Sequence, residues 1–202
     1  MKVKNLSHRR GVLVVCGLGL AVAGILGAVS ASGGSSVGGP ETAPSQVAGR
    51  ITAIDASQKH FGIFRRAQVP GDAIPSTQRG PDGANYELAR RVKTAAGDAW
   101  IIPAAQEICI RALDAAGPAY GCSPTSAAEA GQLALSIEPG EGQSKDTIVY
   151  GLVPDGVTSV TVRAGAATTS VPVSDNVYSA TLAGPGEVSY SASGHSGQVH
   201  IG

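Results

Sequence analysis

From Thr147 to Ile201 the apolar positions recur in short bursts, each closed by Gly, Pro, Asn or Asp. The bursts are TIVYGLV (147–153), TSVTVR (158–163), TSVPV (169–173), NVYSATL (176–182), EVSYSA (187–192) and QVHI (198–201). Val160 and Val162 share one face of an extended chain, as do Val188, Tyr190 and Ala192. That is the period of two that a half-buried strand requires. Pro154-Asp155-Gly156 punctuates the first pair of bursts, with Pro presetting φ and Gly free to take a positive one. Asp175-Asn176 and Gly184-Pro185-Gly186 mark two further turns. Six such strands predict a mainly β fold, a small antiparallel sandwich or partly open barrel.

The middle of the chain is mixed. Trp100, Ile101 and Ile102, then Ile108, Cys109 and Ile110, are rich in β-formers and predict two buried strands. YELARRVKT (86–94) suits a helix, or a strand that turns at Gly97-Asp98 into AWIIP. Ser126-Ala127-Ala128-Glu129 has the spacing of a capping box, which predicts one short helix closed by Gly131. Phe61, Ile63 and Phe64 in HFGIFRR (60–66) predict an element that docks on the domain.

The start of the chain follows another pattern. Lys2, Lys4, Arg9 and Arg10 precede a stretch from Gly11 to Ala31 that carries no charge. Cations stay on the cytoplasmic side while the apolar run enters the bilayer, so residues 1–31 predict export. Val29-Ser30-Ala31 fits a signal-peptidase site with cleavage before Ser32, whereas the length of the run suits a hydrophobic helix kept as a single transmembrane anchor. Both readings place the rest of the chain outside the cytoplasm, secreted or anchored with the N-terminus inside. Residues 32–49, rich in Gly, Ser and Pro, predict a flexible linker with a reach of about 25 Å. Residues 50–202 then have the size of a single β-rich extracytoplasmic domain.

Charge and cysteine content sharpen this picture. The chain holds 15 basic and 15 acidic residues, but residues 1–31 carry four of the basic ones and none of the acidic. The remainder is therefore acidic, with 11 basic against 15 acidic residues, which argues against a nucleic-acid partner. Within it, residues 59–93 carry seven basic side chains against three acidic, and residues 98–202 three against ten. This segregation predicts a basic patch for an anionic polymer or lipid headgroups, or two halves that pack together and neutralise each other. Cys109 and Cys122 are an even pair in an exported chain, which predicts a disulfide.

Candidate chemistry is sparse. No GxSxG elbow, HExxH helix, P-loop or EF-hand loop occurs, and no catalytic, cofactor-binding or metal-binding set is predicted. His195 and His200 lie in a Gly/Ser-rich tail at an odd spacing that sends them to opposite faces of a strand. Ser57 and His60, with Asp55 nearby, supply the residue types of a triad, but a triad is defined by geometry across a fold. Glu138 and Glu141 read as a solvated loop, and Asp155, Asp175 and Asn176 as turn residues bonding nearby backbone.

The landmarks WIIP (100–103), EIC (107–109), GC (121–122), GLVPDGV (151–157), SVTV (159–162) and VPVSDNVYS (171–179) resemble those of a group of uncharacterised exported or membrane-anchored proteins of high-GC Gram-positive bacteria (actinobacteria). The resemblance implies a compartment and a domain and brings no chemistry with it. The function expected is a non-enzymatic cell-envelope module that binds protein, wall polymer or membrane surface. The alternative is an extracytoplasmic hydrolase whose site assembles only in three dimensions, with His60 meeting a carboxylate of the acidic half. A concave pocket holding His60, a Ser and a carboxylate within hydrogen-bond reach would mark the second.

Overall fold

The computed structural model describes residues 57, 59–80, 83–114, 117–138, 146–192 and 194–202. The predicted N-terminal hydrophobic helix, the linker and Asp55 and Glu141 lie outside the described residues. Among the described residues no helix is long and apolar enough to cross a membrane.

The chain is mainly antiparallel β, arranged in three sheets. The first is a meander of β1 (Arg90–Thr94), β2 (Gly97–Pro103), β3 (Glu107–Asp114) and β4 (Gly117–Pro124), in that order. A short helix α1 (Thr125–Glu129) leads to β5 (Ala134–Ile137), which pairs with β6 (Thr147–Leu152) and through it with β9 (Val177–Leu182). The third sheet runs β11-β10-β7-β8 and contains β7 (Ser159–Ala164), β8 (Ala167–Pro172), β10 (Gly186–Ala192) and β11 (His195–Ile201). YELARRVKT resolves into a 3-10 turn, Tyr86–Leu88, followed by strand β1.

The mainly β fold expected from the sequence is what forms: among the described residues no sheet closes on itself, and the three sheets stack as layers. The three-stranded sheet is the middle layer, because its alternating residues feed two different cores. Leu135, Ile137, Tyr150, Leu152 and Val177 pack with Ala99, Ile101, Ile108 and Ile110 of the first sheet. Ala134, Val149, Tyr178, Ala180 and Leu182 pack with Val160, Val162, Val188 and Val199 of the third. Each fully buried aliphatic or aromatic side chain contributes about 1.5–3 kcal/mol, so the middle sheet draws stability from both faces. The helix departs from its sequence expectation: it starts at Thr125 after Pro124, without a side-chain cap. Pro at the cap position offers no side-chain oxygen, and Ser126 lies inside the first turn, so the capping box does not form.

The docking element behaves as its sequence predicts. Phe61, Ile63 and Phe64 are buried in the core between the first and middle sheets. Their 3-10 turn, Gly62–Arg65, takes its caps from far along the chain. Asp155 Oδ1 accepts the Gly62 N–H at 2.6 Å and Asn176 Oδ1 accepts the Ile63 N–H at 3.0 Å. Asp155 and Asn176 thus sit in their predicted turns and also satisfy donors that the short turn cannot pair itself.

Residues 70–80 and 83–89 form a strap over the outer face of the first sheet, where Ile74 and Ala89 pack against Trp100, Ile102 and Cys109. Asp72 anchors it. Its buried carboxylate accepts two bonds from the Arg66 guanidinium, both at 2.9 Å, and the N–H groups of Val69 and Arg91 at 2.8 and 2.7 Å. Burial alone would raise this carboxyl, yet the Arg66 bonds and the backbone donors outweigh it and hold it at about 2. Beside it Arg91, Trp100, Arg111 and Tyr120 occupy opposed positions on the four strands. The buried Arg111 guanidinium lies 4.5 Å from the centre of the Trp100 ring.

Candidate functional site

Asp175 and Asn176 both have positive φ, 46° and 66°. They form the two-residue turn that suits a right-twisted hairpin, and Asn and Asp tolerate that conformation best. Ser174 and Val177 close the turn with reciprocal backbone bonds of 2.9 and 2.8 Å. The hairpin then splits. Val173 donates to Thr158 of the third layer, so β8 leaves to pair with β7 while β9 enters the middle sheet beside β6. A middle sheet of three strands therefore lies between two sheets of four, and β9 is left as its edge.

A cleft of about 480 Å³ occupies the position where a fourth middle strand would lie. Its walls are Ser179, Ala180 and Thr181 of β9 with Ala183 just after it, the overhanging strand β8, and Ala95 and Ala96 of the β1–β2 turn. The direction of the β9 backbone follows from the ladder. Val153 donates to the Asn176 carbonyl, and antiparallel bonding alternates, so Tyr178, Ala180 and Leu182 face β6. Ser179, Thr181 and Ala183 then turn their N–H and C=O groups into the cleft. None of these three has a backbone bond to another described residue on that side. β8 is exposed from Ala167 to Ser170, and those residues bear only methyl and hydroxyl groups.

The cleft's lining holds no titratable side chain among the described residues. It offers no acid, base or nucleophile beyond hydroxyls, so its chemistry is that of an unpaired strand edge. Such an edge is a template for another extended chain unless something covers it.

The residues singled out by sequence are dispersed. Cys109 and Cys122 face each other across β3 and β4 and are joined at 2.06 Å. Glu107 lies close to both sulfurs, but sulfurs engaged in a disulfide offer no thiolate to a metal. His60 lies beside Glu129 of the acidic half, with Nε2 to Oε1 at 3.4 Å. Ser57 does not complete that pair: its Oγ is buried and has no hydrogen-bond partner among the described residues. His195 and His200 are both exposed on β11, and His200 lies 3.7 Å from Glu187. Glu138 ends the described segment beyond β5. Two arginines of residues 59–93 meet carboxylates of the acidic half: Arg65 pairs with Asp155 and Arg91 with Asp98. Burial would raise the Asp155 carboxyl, and the bonds from Asn176, Arg65 and Gly62 bring it below its ordinary value.

Sequence reasoning found the hairpin turn and missed the cleft beside it. One signal was available: Ala167-Thr168-Thr169-Ser170 lacks the large apolar residue at alternate positions that a covered strand needs. Comparison with family models, with curated proteins and with solved structures finds no match to this chain.

Proposed function

We propose that this protein is a non-enzymatic, exported cell-envelope module that binds an extended segment of a partner protein as the fourth strand of its middle sheet. The observation that carries the reading is the edge of β9, unpaired among the described residues and set at a cleft between two four-stranded sheets. Main-chain bonds to Ser179, Thr181 and Ala183 would supply affinity, and the walls would select side chains. The described residues of those walls are uncharged, which favours a segment with Ala, Gly, Ser or Thr at the positions that enter the cleft. Export rests on the charged and apolar pattern of residues 1–31, and an envelope partner follows from that compartment.

Selection from a library of displayed random octapeptides on the full chain in detergent tests this. Small residues at alternate positions should be enriched. Thr181→Pro removes one outward N–H at an edge position where Pro is tolerated, so it should keep the fold and weaken the selected peptides roughly tenfold. Absence of enrichment, or equal binding to Thr181→Pro, would overturn the reading.

A further inference from the structure

Ser32 to Gly39, SGGSSVGG, is a part of the chain whose side chains suit the β9 cleft. None is larger than Val37 and none is charged. The middle sheet is covered on both faces, so a strand added to it meets β8 with one set of side chains and the Ala95–Ala96 turn with the other. Small residues therefore suit every position of such a strand. The described lining offers a charge no partner, and burying one there would be unfavourable. Pro40 follows the run and has no N–H to give a ladder, which ends a strand at Gly39.

The chain enters the described domain beside the start of the same edge. Asp155 donates its N–H to the His60 carbonyl at 3.0 Å, and Asn176, the residue before β9, accepts the Ile63 N–H. From Asn176 to Ala183 a strand rises about 24 Å. Residues 40–56 connect the run to Ser57 and span about 55 Å when extended, so the run reaches every position of the edge. The shortest path puts Gly39 near Asn176 and Ser32 near Ala183. That direction is antiparallel to β9, as is each ladder between the described strands.

We propose that residues 32–39 occupy the cleft of the free protein as a weak fourth strand, which a partner's segment has to displace. The inference rests on the strand-binding reading of β9 and adds the regulation of that site. The contact is weak because Gly33, Gly34, Gly38 and Gly39 lose much conformational freedom on ordering. Tethering offsets this, since a flexible connection holds the run at an effective concentration of about the millimolar range. Occupation also hides an edge that would otherwise pair with other copies of the chain. An occupancy of about four-fifths leaves one molecule in five open and weakens partner binding roughly fivefold.

Amide exchange on the free full chain in detergent tests this, with the double variant Ser35→Asp, Val37→Asp and a deletion of residues 33–38 beside the parent. Each new carboxylate would have to enter the uncharged cleft, so the variant's cleft should stand open. Both changes precede the described sheets, and protection along the β2–β3 ladder checks that the domain stays folded. Ser179, Thr181 and Ala183 should exchange roughly fivefold more slowly in the parent than in either variant, with Ala180 and Leu182 alike in all three. An octapeptide selected on the full chain should bind both variants roughly fivefold more tightly.

Equal exchange at Thr181 in all three chains would overturn the proposal. So would protection that rises with protein concentration, which would put a second copy in the cleft. Failure of the underlying reading looks different. If a selected peptide protects Thr181 and binds parent and variants equally, the edge takes strands and only occupation by residues 32–39 is wrong. If no peptide protects Thr181 even in the variants, strand binding fails and this inference falls with it.

Discussion

The Ser179 hydroxyl accepts the Ala96 N–H at 3.1 Å, and this bond ties the edge of the middle sheet to the β1–β2 turn of the first. The Tyr150 hydroxyl holds the same residue from the other side, donating to the Ala96 carbonyl at 3.0 Å. A turn that would otherwise be mobile thus becomes a fixed wall of the cleft. Ser179→Ala should cost about 1 kcal/mol, the net worth of one such bond. Residue-level hydrogen exchange should show the Ala96 amide losing protection while the β2–β3 ladder keeps its own. Unchanged protection at Ala96 would contradict the assignment of this bond.

Gly151 stands opposite Tyr178 in the β6–β9 ladder, and a Cβ there would overlap the Tyr178 ring. Overpacking of this kind costs about 1–3 kcal/mol. Gly151→Ala should therefore lower the denaturation midpoint. Adding Tyr178→Leu should recover part of the loss, giving a coupling in a double-mutant cycle. Strictly additive effects would show that the ring is not what forbids a side chain at 151.

Asp72 predicts how stability depends on pH. Its carboxyl is held at about 2 in the fold against an ordinary 3.8, so it stays ionised and bonded where an unfolded chain has begun to take up protons. Stability from this group is complete above its ordinary value and is lost as pH falls from about 4 towards 2. The amount is about 2 kcal/mol. Asp155 is lowered too and acts in the same direction. In urea titrations across this range Asp72→Asn should flatten the slope; a slope equal to that of the parent chain would contradict the assigned anchor.

The Cys109–Cys122 bridge closes a loop with a sequence separation of 13. Loss of such a link costs about 3 kcal/mol on the chain-entropy account. The double variant Cys109→Ser, Cys122→Ser should melt several degrees lower than the oxidised parent and match the parent in the presence of a thiol reductant. An unchanged melting temperature would mean that the bridge adds nothing to the fold.

What could be read in the sequence was whatever is decided locally. Val160 and Val162 alternate with exposed residues, as do Val188 and Tyr190 with their neighbours, because those strands are covered on one face only. Positive φ at Asp175 and Asn176 follows from residue type, and the turn was legible for that reason. The middle layer was not. Val149, Tyr150 and Leu152 are buried in succession, and a continuous apolar run does not say which sheets lie on its two sides. The cleft was invisible for a related cause: it exists because β8 and β9 part after one bridge, a choice made by partners distant in sequence. Ser126 misled in the other direction, since Pro124 and Thr125 start the helix before its hydroxyl can cap it.

Residue-level amide exchange on the full chain, with and without a selected octapeptide, tests strand addition most directly. Addition to β9 should slow exchange at Ser179, Thr181 and Ala183 and leave Ala180 and Leu182, already bonded to β6, unchanged. Protection that falls on other strands, or on even and odd β9 positions alike, would contradict a fourth strand at this edge.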